Sequence, residues 1–163
     1  MDSISERDIR ASFVNCTRGE VSRMRLPPDL ETRPWEQLDF LGWVDPRSPL
    51  QAYVVVPVPD GRPVGVALRR NASGEGPTRS RMCSLCVTTH PGTGVTLMVA
   101  ARAGRAGRDG NSVGVDVCAD LECSRYVRGL LPAPSLTRVH ETLSVEQRTE
   151  RLRRNLLTFV GRL

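Results

Sequence analysis

Four cysteines constrain this chain more than any other feature. Cys83 and Cys86 stand in "RMCSLCVTTH", and Cys118 and Cys123 in "DVCADLECSRY", spaced C-x2-C, 31 residues, C-x4-C. Structural disulfides need an oxidising compartment, and the charged start "MDSISERDIR", with no apolar run of membrane-span length, gives no sign of export. A thioredoxin-like redox pair puts C-x-x-C at the start of a helix, whereas Cys86 runs into "VTTHPGTG", which reads as a loop. A single metal ion uses all four thiols. Tetrahedral zinc accepts thiolates at about 2.3 Å, and a C-x-x-C turn converges two sulfurs on one point.

The second pair fits the same ion. Cys118 ends a strand-like run and Cys123 falls in the first turn of a helical pattern, so a helix N-terminus faces a site of charge about −2. Knuckle, hairpin, helix is the order of a treble-clef zinc finger. His90 is the weaker substitute for one ligand, and Cys16, without a partner, reads as a small buried hydrophobe. Four cysteines leave no coordination position for water, so the ion is structural. Binding of roughly 10–16 kcal/mol rivals the roughly 5–15 kcal/mol stability of a domain. Loss of any one cysteine should unfold residues 83–130.

Around this centre the sequence predicts an α+β fold: a small antiparallel sheet with flanking helices and a C-terminal treble-clef finger with four cysteine ligands. "SISERDIRASFV" (3–14) begins with a Ser3–Glu6 capping box, and "GEVSRMR" (19–25) is a second short helix stopped by Pro27-Pro28. "PWEQLDFLGWVDPRSP" (34–49) supplies aromatic core anchors. "QAYVVVPV" (51–58) and "PVGVALRR" (63–70) form a hairpin through Pro59-Asp60-Gly61-Arg62, and 71–81 is a flexible connector. "VTLMVAARA" (95–103) and "SVGVDV" (112–117) are strands joined by a turn at 104–111, and 119–129 is helical. From Ser144 a capping box with Gln147 opens an amphipathic helix carrying Val145, Leu152, Leu156, Phe159, Val160 and Leu163. The organisation expected is 1–82, finger 83–130 and C-terminal helix 131–163, together one compact domain.

Composition narrows the function classes. All 23 basic residues are arginine, the net charge is +5, and arginine favours bidentate contacts to carboxylate or phosphate. Aromatics at 4% are too few for a base-stacking platform. "GRAGRDG" lacks the Gly-Lys-Ser/Thr of a P-loop, and neither His90 nor His140 sits in a catalytic motif, so no enzyme is expected. The reading is cytosolic, with neither membrane nor small-molecule substrate as partner. The "GRAGRDG" segment reads first as a turn with solvated arginines; the alternative is a contact surface, since Arg102, Arg105 and Arg108 would project from one hairpin tip. Basic charge is not gathered into one dense run, which counts against, without removing, a nucleic-acid (ribosomal RNA or DNA) binder as the second reading.

"MCSLC", "THPGTGVTLMVAARAGRAGRDGNSVGVDVCADLECSRYVRG", "FVNC", "PWEQLDFLGWVDPRSP" and "AYVVVP" together resemble the FBP-type treble-clef zinc-finger proteins of actinobacteria. That family is similar to the C-terminal domain of FusB-type fusidic-acid-resistance proteins, which bind elongation factor G and help it leave the ribosome. The resemblance implies one structural zinc on Cys83, Cys86, Cys118 and Cys123 and no catalysis. It also implies a factor-binding surface around the knuckles: Ser84, Leu85, Gly114 and Val117, then Arg125 and Arg128. FusB-type proteins add an N-terminal helical bundle not included in this sequence, and carry aromatic or basic residues where Ser84, Gly114 and Val117 are small.

Overall fold

The structure, a computed structural model, describes residues 1–59, 61–70, 80–132 and 142–163. Two short helices open the chain. α1 (Glu6–Ser12) is capped by Ser5, whose hydroxyl accepts from the Asp8 N–H at 3.2 Å and donates to the Asp8 carboxylate at 2.6 Å. That reciprocal pair outcompetes the Ser3–Glu6 box and starts the helix later than the sequence predicts. α2 (Arg18–Arg23) has its own capping box, Thr17 with Glu20.

A single 3-10 turn at Trp35–Gln37 leads into β1 (Leu41–Asp45), then β2 (Ser48–Val56) and β3 (Val64–Arg70). The hairpin between β2 and β3 is as the sequence predicts, although Asp60 in its turn lies outside the described residues. The connector read at 71–81 falls mostly outside them too, but Arg81 belongs to β4 (Arg81–Met82), which pairs with β5 (Thr89–His90) as a separate ribbon. β6 (Val95–Ala101) and β7 (Ser112–Cys118) complete an antiparallel sheet of order β1-β2-β3-β6-β7.

The segment between β6 and β7 is not a plain turn. It contains α3 (Gly104–Arg108), closed by backbone bonds Arg102 N–H to Asn111 O and Asn111 N–H to Ala106 O at 2.9 and 3.0 Å. Gly107 is required there, since a Cβ would lie 1.8 Å from the Arg102 carbonyl oxygen. α4 (Cys123–Val127) is shorter than the pattern suggests because Leu121, at φ 60°, turns the chain sharply before it. α5 (Val145–Val160) starts at the predicted Ser144–Gln147 box.

Residues 52–56 of β2 show why the molecule is layered. Successive strand side chains point to opposite faces, yet Ala52 through Val56 are all buried. Ala52, Val54 and Val56 join a core with Leu152, Leu156 and Phe159 of α5 and with all four finger cysteines. Tyr53 and Val55 join a second core on the other face, with Ile9, Met24, Leu41 and Trp43. The sheet is therefore covered on both sides: α1 and α2 on one, the finger and α5 on the other. Aromatic anchoring holds as expected. Trp43 packs on Tyr53 with centroids 5.0 Å apart, Phe13 meets both edge-on, and the Trp43 indole donates to the Arg25 carbonyl at 2.8 Å.

Two polar devices tie the layers. Asn15 reaches into the opening between β3 and β6, donating from Nδ2 to the Ala67 and Ala101 carbonyls at 2.9 and 3.1 Å and accepting from the Ala67 N–H at 2.8 Å. Asp39 is deeper. Its side chain is 0% exposed and takes both Arg128, at the C-cap of α4, and Arg153 of α5, the latter at 2.9 Å, while the Asp39 N–H donates to the Ser124 hydroxyl at 2.9 Å. The N-terminal half thus packs directly on the finger.

Candidate metal centre

The ribbon and the strand–helix junction bring the four cysteines together by local backbone geometry. After β4 the chain folds back on itself: the Val87 N–H donates to the Cys83 carbonyl and the Cys83 N–H to the Thr88 carbonyl, both at 2.9 Å. Val87 takes φ 64° to allow this. The Ser84 N–H then donates to the Asp116 carbonyl of β7 at 2.7 Å, which lays the knuckle on the strand that delivers Cys118. Across the site, the Leu121 N–H donates to the Cys118 carbonyl at 2.9 Å and Cys123 opens α4.

All four sulfurs lie within 4.8 Å of one another and are buried. Cys83 and Cys123 approach to 3.7 Å, Cys86 and Cys118 to 3.5 Å. A tetrahedron with bonds of about 2.3 Å has edges of about 3.8 Å, so the thiols already stand at the spacing of one zinc ion. The cysteines are free of disulfides. Four thiols this close and this buried cannot all ionise unaided, and a divalent cation would stabilise all four as thiolates. The four cysteines form a zinc-binding site for one structural ion, and the closed thiolate shell gives it no position for substrate.

His90, the weaker ligand candidate of the sequence, stands outside the ligand set. It is no ligand in the sulfur cluster but stands just behind it, with Nε2 3.3 Å from the Cys118 sulfur. Burial lowers its basicity. Its place was readable in principle, because a ribbon returning from C-x-x-C must bring its second strand back past the site. Asn155 was unmarked in the sequence. From α5 it donates to the Leu85 and Ser84 carbonyls at 2.9 and 3.3 Å, fixing the knuckle from outside.

The structure divides the residues read as a contact surface. Ser84 and Gly114 are exposed and Arg125 is half-buried, pairing with Glu122 at 3.7 Å. Leu85 and Val117 are core residues, 4% and 0% exposed, because the knuckle and β7 turn them inward; they offer no side chain to a partner. Arg128 is committed to Asp39. Arg102, Arg105 and Arg108 are exposed at the far end of the β6–β7 hairpin. Six residue steps of strand separate Ser112 from Cys118, about 20 Å. Cys16 is half-buried between α1 and α2, where burial first, and Glu20 second, push its thiol up to about 11. His140 lies outside the described residues.

A family model described as the FBP C-terminal treble-clef zinc-finger matches residues 8–163. The chain belongs to this family. No curated protein matches it in sequence. Among solved structures, the FBP zinc finger is similar to the fusidic acid resistance protein FusC, with a TM-score of 0.55 at 14% identity. The match covers 89% of this chain and 54% of FusC, so the FBP zinc finger spans about half the length of that protein.

Strain in the first knuckle gives a direct prediction. A β-branched residue in the left-handed region is costly, about 1–2 kcal/mol, while glycine adopts it freely at a smaller entropic cost. Val87→Gly is expected to stabilise the zinc-loaded chain by about 1 kcal/mol net, read as a higher urea midpoint with unchanged slope.

Proposed function

We propose that this FBP zinc finger is a non-enzymatic binding protein that docks on elongation factor G and influences its release from the ribosome, in the manner of fusidic-acid-resistance proteins. Family membership and the fold shared with FusC support the reading. The observation that carries it is the closed, buried four-cysteine centre with accessible residues around it: Ser84, Gly114 and Arg125. Such a centre holds a surface in shape and performs no chemistry. Among the described residues no helix is long and apolar enough to cross a membrane. A cytoplasmic site of action follows from the proposed partner.

One observation favours a second reading, nucleic-acid binding. The exposed Arg102, Arg105 and Arg108 form a group of their own about 20 Å from the zinc centre, suited to phosphates rather than to the knuckle surface. A titration of the nuclease-treated, zinc-loaded chain with purified elongation factor G separates the two. Saturable binding that weakens tenfold or more in Arg125→Glu, about 1.4 kcal/mol, and falls gently with salt is the expected result. No binding to the factor, with steeply salt-dependent RNA binding abolished by reversing the three tip arginines, would replace the first reading with the second.

A further inference from the structure

His90 sits on β5, the return strand of the ribbon that carries Cys83 and Cys86, and is 2% exposed. Its ring is fixed on several sides. Tyr126 of α4 meets it edge-on with centroids 4.8 Å apart and an interplanar angle of 88°. The Tyr126 hydroxyl is held by Asp120 at 2.8 Å, and the same carboxylate accepts the Glu122 N–H at 3.0 Å just before Cys123. Gly94 walls the third side: a Cβ there would lie 2.7 Å from His90 Cβ and 3.0 Å from Nδ1. A buried ring so tightly placed aims one nitrogen at one sulfur.

The charge at the centre gives that contact a purpose. One zinc and four thiolates sum to about −2, buried among apolar side chains. Buried charge needs hydrogen-bond donors. The Cys86 N–H approaches the Cys83 sulfur at 3.4 Å, and His90 Nε2 approaches Cys118 at 3.3 Å. A zinc-bound thiolate can only accept, so a hydrogen bond at this contact requires the proton on Nε2.

We propose that His90 is a positioning residue of the zinc centre, donating Nε2–H to the Cys118 thiolate and thereby slowing loss of the ion. Neutral imidazole in the Nε2–H tautomer draws charge from the sulfur without competing for the metal. The α4 loop, through Asp120 and Tyr126, sets the ring plane for this bond. Cys118 is the ligand that ends β7, so the same bond fastens the ribbon to the sheet hairpin across the metal. Outer-shell partners of this kind alter metal affinity by about 10–100-fold.

The test uses the full zinc-loaded chain, with the zinc content of every preparation measured first. His90→Phe keeps an aromatic ring against Tyr126 and removes the donor; His90→Gln returns an N–H near the Nε2 position. Zinc transfer to excess EDTA is expected to be at least tenfold faster in the Phe variant, and within a few fold of the natural chain in the Gln variant. Equal rates in the natural chain and both variants, or equally fast loss from Phe and Gln, would overturn the proposal in favour of a packing role. Should His90→Phe fail to fold, nitrogen NMR of the natural zinc-loaded chain decides alone. A proton on Nε2 supports the bond, and a neutral ring protonated on Nδ1 overturns it.

Discussion

Cys118→Ser is expected to abolish zinc binding and to unfold more than the finger. The cysteine spacing alone predicts the loss of residues 83–130, which include β6 and β7 of the sheet. The structure predicts a larger collapse. Cys83, Cys86, Cys118 and Cys123 are packed in one core with Val54 and Val66 of the sheet and Leu152 and Phe159 of α5. An apparent zinc contribution of roughly 10–16 kcal/mol rivals the whole stability of a domain, roughly 5–15 kcal/mol. Far-UV circular dichroism and near-UV signals from Trp43, on the opposite face of the sheet, should therefore be lost together on mutation or on chelation. Retention of the tryptophan signal in a zinc-free variant would show that the N-terminal layer is stable by itself.

The second large effect is expected at Asp39. Its carboxylate is fully buried between Arg128, 17% exposed, and Arg153, 53% exposed. Asp39→Asn removes the only negative charge from the Arg128–Asp39–Arg153 cluster and replaces one acceptor oxygen by an NH2 donor, so the Arg128 guanidinium, also bonded to the Ser124 carbonyl at 3.0 Å, keeps an uncompensated charge in a largely dry site. Removing one member of a buried ion cluster costs about 3–5 kcal/mol, while replacing the cluster by apolar groups is far milder. Urea unfolding of zinc-loaded Asp39→Asn should show a loss of about 3 kcal/mol or more. The pair Asp39→Leu with Arg128→Met should recover part of that loss, since the dry guanidinium is gone and Arg153, 53% exposed, can turn to water. A loss below about 1 kcal/mol in the single variant would mean that water reaches the cluster and that it does not clamp the N-terminal half to the finger.

What the sequence disclosed, it disclosed through local rules. The cysteine spacing marks the zinc site because two knuckles need few residues to converge sulfurs. The Ser144–Gln147 box marks the last helix because the cap is complete within four residues. The valine-rich runs mark the β2–β3 hairpin for the same reason. Elements set by distant contacts stayed hidden. β1 is short and holds a glycine, and reads as irregular; Gly42 is there because a Cβ would lie 2.8 Å from both Leu121 Cβ and Phe40, where the finger crosses the strand. α3 has two glycines and looks like a turn, but its entry is held by the Ala103 N–H bond to the Leu163 carbonyl at the far end of the chain.

The site followed the same division. The four ligands were legible, whereas Asp39, Asn155 and the place of His90 depend on which layer lies against which. The contact residues carried over by resemblance were sorted by burial, which no spacing encodes. Leu85 and Val117 turn inward while Ser84, Gly114 and Arg125 stay accessible, and that outcome depends on the Ser84–Asp116 backbone bond seating the knuckle on β7.

Zinc stoichiometry by native and denaturing mass spectrometry tests the central claim most directly. One zinc per chain in the native spectrum, absent after denaturation and accompanied by five free thiols, is the predicted result. A chain that stays folded without zinc, with all its thiols reduced, would contradict it.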